Sequence, residues 1–197
     1  YFNKLKYFKL MGNIRLFSSE RLSLNLNSKL NKSQSHYINK VMRIKVNEKF
    51  SLFNSLGEWE AKINEITKGV VEFTIVKHLR SQENLKELWL AFSPIKSNYF
   101  NFMIQKSTEL GTTKFIPIIT DRTIVRKINI KRLEKVIIES CEQSNRLKIP
   151  IIEKPSSLEN FIKMNQDLDI IFCDLNAGSK TINKNILKNQ KPLCVLI

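Results

Sequence analysis

Histidine is nearly absent: His36 and His78 are the two present in 197 residues. A Ser/His/Asp or Cys/His triad needs a base within reach of its nucleophile, and no histidine occurs in the last 119 positions, which makes such a triad implausible. Glycine is equally sparse, with 5 residues, and no Gly-rich phosphate loop, GxSxG or HExxH stretch occurs. Cys141, Cys173 and Cys194 are scattered, odd in number and without CxxC or Cys/His ligand spacing. They read as buried free thiols of a reducing compartment, which argues against a disulfide framework or a metal site. No apolar run reaches membrane-spanning length, and no basic amphipathic helix shows the exposed large apolar residues of a membrane-surface anchor. Acid is also short. Asp and Glu total 18 against 33 Lys and Arg, a formal charge of +15.

A hydrophobic content of 42% supports a folded chain with real cores. Part of the positive charge is a compositional habit, because Lys, Asn and Ile are used throughout. A folded surface this basic still attracts polyanions, and nucleic acid is the expected partner. The chain opens on Tyr1 and Met11 reads as the natural start. At the other end KPLCVLI stops within an apparent strand, so the natural protein is expected to continue.

Two domains are expected, residues 12–82 and 85–197, joined by polar Ser81-Gln82-Glu83-Asn84. The first is read as a small β-barrel. Trp59, Ala61 and Ile63 alternate with Glu58, Glu60 and Lys62, and Val71, Phe73 and Ile75 share one face of VVEFTIV. Thr67-Lys68-Gly69 and Asn54-Ser55-Leu56-Gly57 supply turns. One helix interrupts the strands, with Ser33 or Ser35 as cap and Ile38, Val41 and Met42 as its apolar side. His36, Lys40 and Arg43 share an edge of that helix at i, i+4 and i+7. This edge is either a contact for phosphates or a solvated face, and the residues alone favour the solvated face. Arg15 beside the opening NIRLF segment has the same two readings.

The second domain is α/β. Leu88–Phe92 is a short apolar strand stopped by Pro94. A helix from Tyr99 to Leu110 follows, with Phe100, Met103, Ile104 and Leu110 as its buried stripe and Gly111 as its stop. Phe115–Ile119 is the next strand. Strand, helix, strand is the βαβ unit of a parallel sheet. Thr120–Lys127 exits at the carboxyl end of that strand, where parallel sheets bind ligands, so Asp121, Arg122 and Arg126 are placed for chemistry or RNA contact, or form a solvated loop. A helix over residues 129–145 buries Ile130, Leu133, Val136, Ile137, Ser140 and Cys141. Glu142 and Arg146 read at first as an ordinary i, i+4 ion pair. Phe161 belongs to a short helix, Asp169–Cys173 and Cys194–Ile197 are buried strands, and Asp174–Gly178 is an exit loop.

Three blocks carry more than pattern: HYINKVMRIKVNEKFSLFNSLGEWEAKI, LAFSPIKSNYFNFMIQKSTELGTTKFIPIITDRT and IIESCEQSNRLKIPIIEKP. In sequence, order and spacing they resemble the bacterial 16S rRNA (uracil-N3)-methyltransferase family. QKSTELG and CEQSNR are the most specific segments, and the resemblance covers residues 14–197. It implies an N-terminal PUA-like barrel and a C-terminal SPOUT domain, the α/β-knot fold. It also implies methyl transfer from S-adenosylmethionine to N3 of a uridine in 16S rRNA, by a cytoplasmic homodimer acting on the small ribosomal subunit without a metal or a membrane. In that family a strand like CVLI leads into a Gly-Pro-Glu-Gly-Gly loop and the knot. This sequence stops before both, so the SPOUT domain is expected to be incomplete and the chain inactive as it stands.

Two site residues follow from the matched CEQSNR block, and the others from their place in the chain. Glu142 is the candidate for orienting the uracil imide or accepting its N3 proton, and Arg146 for binding RNA or stabilising imide oxygens. Leu175, Asn176, Leu196 and Ile197 are the candidates for cofactor contact. Arg15, Arg43, Lys96, Arg122 and Arg126 are the candidates for RNA contact. Two other readings share the charge and the fold: a non-catalytic RNA-binding or ribosome-assembly protein, and a tRNA-modifying SPOUT enzyme.

Overall fold

Alternation of apolar and polar residues builds the first of two sheets. In the computed structural model, which describes residues 14–82, 84–174, 176 and 191–197, the chain divides into two units, Tyr1–Glu83 and Asn84–Ile197. Unit 1 contains β1 (Arg15–Phe17), β2 (Asn27–Lys29), helix α1 (Lys32–His36) running into a π-helical turn over Tyr37–Val41, β3 (Lys49–Asn54), β4 (Gly57–Thr67) and β5 (Val70–Ser81). The strand order is β1-β3-β4-β5-β2. Strand β1 runs parallel to β3, and every other pairing is antiparallel.

Phe50 and Leu52 of β3, Trp59, Ala61 and Ile63 of β4, and Val71, Phe73 and Ile75 of β5 form one core. Leu16 and Leu30, from opposite edges of the sheet, join the same core, so the sheet is rolled around it. Register shifts between β4 and β5 at Glu58/Trp59, Glu60/Ala61 and Ile63/Glu65 supply the bend. The β4–β5 turn places Lys68 and Gly69 at φ 50 and 81, the pair of left-handed residues that matches strand twist.

Helix α1 departs from expectation. Asn31 is the cap, accepting from the Gln34 N–H at 2.9 Å. Ser35 is buried instead, donating to the Leu30 carbonyl at 3.1 Å and accepting from the Val71 N–H at 3.2 Å. Of the three expected apolar residues Ile38 enters the core, whereas Val41 and Met42 are exposed. The helix widens into its π turn and the chain reverses at Arg43, φ 55, which breaks the 3.6-residue period on which the expectation rested.

Unit 2 contains β6 (Leu88–Phe92), α2 (Ser97–Glu109), β7 (Lys114–Ile119), α3 (Ile130–Gln143), β8 (Ile151–Ile152), β9 (Ser156–Ser157), α4 (Leu158–Met164), β10 (Asp169–Phe172) and β11 (Leu193–Leu196). The order is β10-β11-β6-β7-β8 with all pairings parallel, and β9 pairs with the end of β7. One face is aromatic: Phe92 meets Phe100 of α2 edge-on at 5.5 Å and Phe115 at 6.4 Å. Helix α3 lies against α2 and buries Leu133, Ile137, Ser140 and Cys141. The alternate residues Ala91, Ile116, Ile118 and Cys194 pack with Phe161 of α4 in a second cluster.

Three details differ from expectation. Leu110 is 82% exposed, because α2 stops at Glu109 and Gly111 turns the chain at φ 114. The Thr112 N–H then reaches the Ser107 carbonyl at 3.0 Å and the Gly111 N–H reaches Thr108 at 3.1 Å, a Schellman closure. Strand β10 ends the sheet among the described residues and is only half-buried. Cys173 is exposed, unlike Cys141 and Cys194, and burial pushes the Cys194 thiol up to about 11.

Candidate functional site at the carboxyl edge of the parallel sheet

A parallel sheet has two unlike ends, and the site residues of unit 2 divide between them. At the carboxyl end four exits lie side by side, following the order β10-β11-β6-β7. Strand β6 leads into Ser93, Pro94 and Lys96. Strand β7 leads into a turn over Thr120–Thr123. Strand β11 ends at Leu196 and Ile197, and β10 leads into Cys173 and Asp174. The Ile197 N–H bonds the Ala91 carbonyl at 3.0 Å and the Cys173 N–H bonds Leu196 at 2.9 Å, so the pairing continues to the edge. The Asn176 N–H bonds Asp174 Oδ1 at 2.9 Å, a side-chain-closed turn.

The β7 turn is closed several times. The Thr123 N–H donates to the Thr120 carbonyl at 3.1 Å, and the Thr120 N–H donates to Thr123 Oγ1 at 2.8 Å. Thr123 Oγ1 also lies 2.9 Å from Thr120 Oγ1 and 3.3 Å from Ser93 Oγ. The Ser93 hydroxyl donates to the Ile118 carbonyl at 3.2 Å. The turn exposes Asp121 and Arg122 at its tip, and Arg126 donates to the Asp121 carbonyl at 3.3 Å. Among the described residues Lys96 and Arg122 make no ion pair. They leave two exposed cations beside strand exits, the arrangement that phosphate groups bind.

The amino end is the opposite case. Glu87 accepts from Trp89 Nε1 at 3.0 Å and from the Thr113 hydroxyl at 2.8 Å, and it pairs with Lys148. Burial works against ionisation of Glu87, but the hydrogen bonds from Lys148, Trp89 and Thr113 outweigh it and hold the carboxyl below its usual range. Arg146 donates to the Thr108 carbonyl and, at 2.9 Å, to the Thr112 carbonyl. It therefore clamps the last turn of α2 to the start of β7, where helix carbonyls lack partners and the helix dipole is negative. Burial lowers the pKa of Arg146, and the guanidinium stays a cation at neutral pH.

This placement separates residues that were expected together. Glu142 lies in the final turn of α3 and Arg146 just beyond, both at the amino end. Strand β7 alone, with 6 residues, puts roughly 20 Å between that end and the carboxyl edge. Within one chain Glu142 and Arg146 do not meet Lys96, Arg122, Arg126, Asn176, Leu196 or Ile197, which share the carboxyl edge. Leu175 lies outside the described residues.

In unit 1 the two candidate arginines, Arg15 and Arg43, also part company. Arg15 has a side chain only 9% exposed, paired with Glu58 at 2.8 Å and stacked over Phe53 at 4.3 Å. Arg80 holds the other Glu58 oxygen at 2.7 Å. Burial opposes the Glu58 charge, yet the two guanidinium groups keep its pKa low. Arg15 is thus an internal partner of Glu58. Arg43 is exposed, as are His36 and Lys40. Sequence reading missed Ser93, Thr120 and Thr123 altogether. The signal was present in Thr-Asp-Arg-Thr, two hydroxyls three residues apart around charged residues, a common turn composition. Among the described residues no group of three or more His, Cys, Asp or Glu is placed to hold a metal ion, and no helix is long and apolar enough to cross a membrane.

Residues 81–197 match the family model described as an RNA methyltransferase domain. The chain belongs to the RNA methyltransferase family. Residues 30–76 match the RNA methyltransferase PUA domain, so unit 1 carries the PUA domain and unit 2 the α/β methyltransferase domain. Ribosomal RNA small subunit methyltransferase E of Rickettsia conorii is 36% identical over 165 residues, covering 83% of this chain and 66% of the relative. The protein of the same name from Buchnera aphidicola of Acyrthosiphon pisum is 33% identical over 168 residues, covering 80% and 66%. The chain thus spans just under two thirds of the length of these relatives. A crystal structure of the protein of that name from Neisseria gonorrhoeae, bound to S-adenosyl methionine, superposes with a TM-score of 0.84 at 25% identity, over 94% of this chain and 78% of that one.

Proposed function

We propose that this RNA methyltransferase family chain acts in methyl transfer from S-adenosylmethionine to N3 of a uridine in 16S rRNA, with the reacting groups meeting at the carboxyl edge of unit 2. The single observation that carries this reading is the coincidence there of exposed cations with the strand exits of a domain matched to RNA methyltransferases. The donor supplies an electrophilic methyl on a sulfonium. Everything else falls to the protein.

Uridine N3 carries a proton and is a poor nucleophile while neutral, so that proton must be taken or shared as the base is aligned. Asp121 and Asp174 lie at this edge, with Glu159 in the first turn of α4 beyond β9, and the proton-accepting role expected of Glu142 passes to Asp121 or Asp174. Lys96, Arg122 and Arg126 bind RNA phosphate. Asn176, Leu196 and Ile197 form a wall toward the donor, and the exposed Phe172 and Ile197 suit an apolar adenosine face. Glu142 and Arg146 act on the fold. In unit 1 the exposed Arg43, with His36 and Lys40, contacts the RNA backbone. The protein works as a homodimer on the small ribosomal subunit in the cytoplasm.

Full-length protein incubated with 16S rRNA and methyl-labelled S-adenosylmethionine is expected to label the RNA, with N3-methyluridine as the product and tRNA left unlabelled. Labelled tRNA with blank rRNA would transfer the reading to another RNA, and no label on either would remove the proposed reaction. Light scattering on the eluting protein tests the dimer.

A further inference from the structure

We propose that Thr123 is a positioning residue, with Ser93 as its partner, and that it presents the Asp121–Arg122 turn to RNA. The inference rests on the carboxyl-edge reading above and names the device that makes that edge rigid. Four observations carry it. Thr123 is 6% exposed, whereas Asp121, Arg122 and the following Ile124 are exposed. Its hydroxyl takes the Thr120 N–H at 2.8 Å, closing the turn a second time after the backbone bond at 3.1 Å. The same hydroxyl lies 3.3 Å from Ser93 Oγ, tying the exit of β7 to the exit of β6. Ser93 is in turn anchored on the Ile118 carbonyl at 3.2 Å.

A surface turn with nothing at its tip to bury gains little for the fold from so many closures. What the closures do fix is the direction of the two side chains at the tip. A free arginine loses rotamer and backbone freedom when it grips a phosphate, and a turn held in place beforehand removes the backbone share of that loss. Thr123 therefore acts through Arg122 rather than on RNA itself.

The test is a double-mutant cycle in the full-length protein, read as RNA affinity against salt and as methyl transfer. Thr123→Val keeps the shape and deletes the hydroxyl; it is expected to weaken RNA binding about tenfold, as does Arg122→Ala. Combined, the two are expected to cost barely more than either alone, because the first removes the alignment on which the second depends. Thr123→Ser, which restores the hydroxyl, should bind within about twofold of wild type. Wild-type affinity in Thr123→Val, or losses that multiply in the double variant, would overturn the proposal. If Thr123→Val does not fold, Ser93→Ala opens the same tie from the other loop and must couple to Arg122→Ala in the same way. Because the affinity cycle needs no turnover, absent methyl transfer with intact coupling would remove the proposed reaction and leave the positioning role supported.

Discussion

The two ends of the unit 2 sheet hold similar kinds of residue and use them differently. At the amino end Glu87 and Arg146 are satisfied within the fold. Glu87 holds Lys148, Trp89 and Thr113, and Arg146 holds the carbonyls of Thr108 and Thr112. At the carboxyl end the hydroxyls of Ser93 and Thr123 bond the backbone, and that of Thr120 bonds Thr123, while Lys96 and Arg122 are exposed and, among the described residues, without an ion pair. The difference teaches where to look for function in a basic chain. A cation already held by carbonyls or a carboxylate stabilises the fold, and one left to water is available to a polyanion.

If that contrast is right, substitutions at the two ends should have opposite signatures. Arg146→Ala should have the largest effect, lowering unfolding free energy by about 2–4 kcal/mol because it removes the charged clamp between the Thr108 and Thr112 carbonyls; denaturant titration measures it, and a loss under 0.5 kcal/mol would break the contrast. Glu87→Gln should change the pH dependence of stability. The folded-state pKa of Glu87 is below its ordinary value of 4.5, so its contribution is present above pH 4.5 and disappears as pH falls through the lower folded value. Melting temperatures of wild type and variant should differ at neutral pH and converge in acid. Arg122→Ala should leave stability within about 0.5 kcal/mol of wild type, while weakening RNA binding and reducing the salt slope by about 1. Arg43→Ala in unit 1, an exposed and less constrained cation, should weaken binding only about twofold.

Much of the fold was legible in the sequence because it depends on short-range period. The alternation in β4 and β5 and the apolar stripe of α3 repeat every two to four residues, and the strand–helix–strand unit around α2 is contiguous from Leu88 to Ile119. The carboxyl-edge cations were legible for a related reason: a strand exit can be located once the strand is known. What was not legible depends on distant partners. Arg15 reads as surface until Glu58, 43 residues away, is brought beside it. Glu142 and Arg146 look like a helical pair, but α3 ends at Gln143 and Asn145 turns the chain at φ 63. That sends the Arg146 guanidinium to Thr108, 38 residues back. The Ser93–Thr123 tie similarly exists only because β6 and β7 are neighbours in one register.

The central claim is that function sits at the carboxyl edge and structure at the amino edge. Methyl transfer to 16S rRNA by full-length Arg122→Ala and Arg146→Ala, each normalised to the folded fraction, tests it most directly. At least a tenfold loss is expected for Arg122→Ala, with Arg146→Ala keeping near wild-type turnover per folded molecule. Full turnover in Arg122→Ala, with turnover abolished in folded Arg146→Ala, would contradict it.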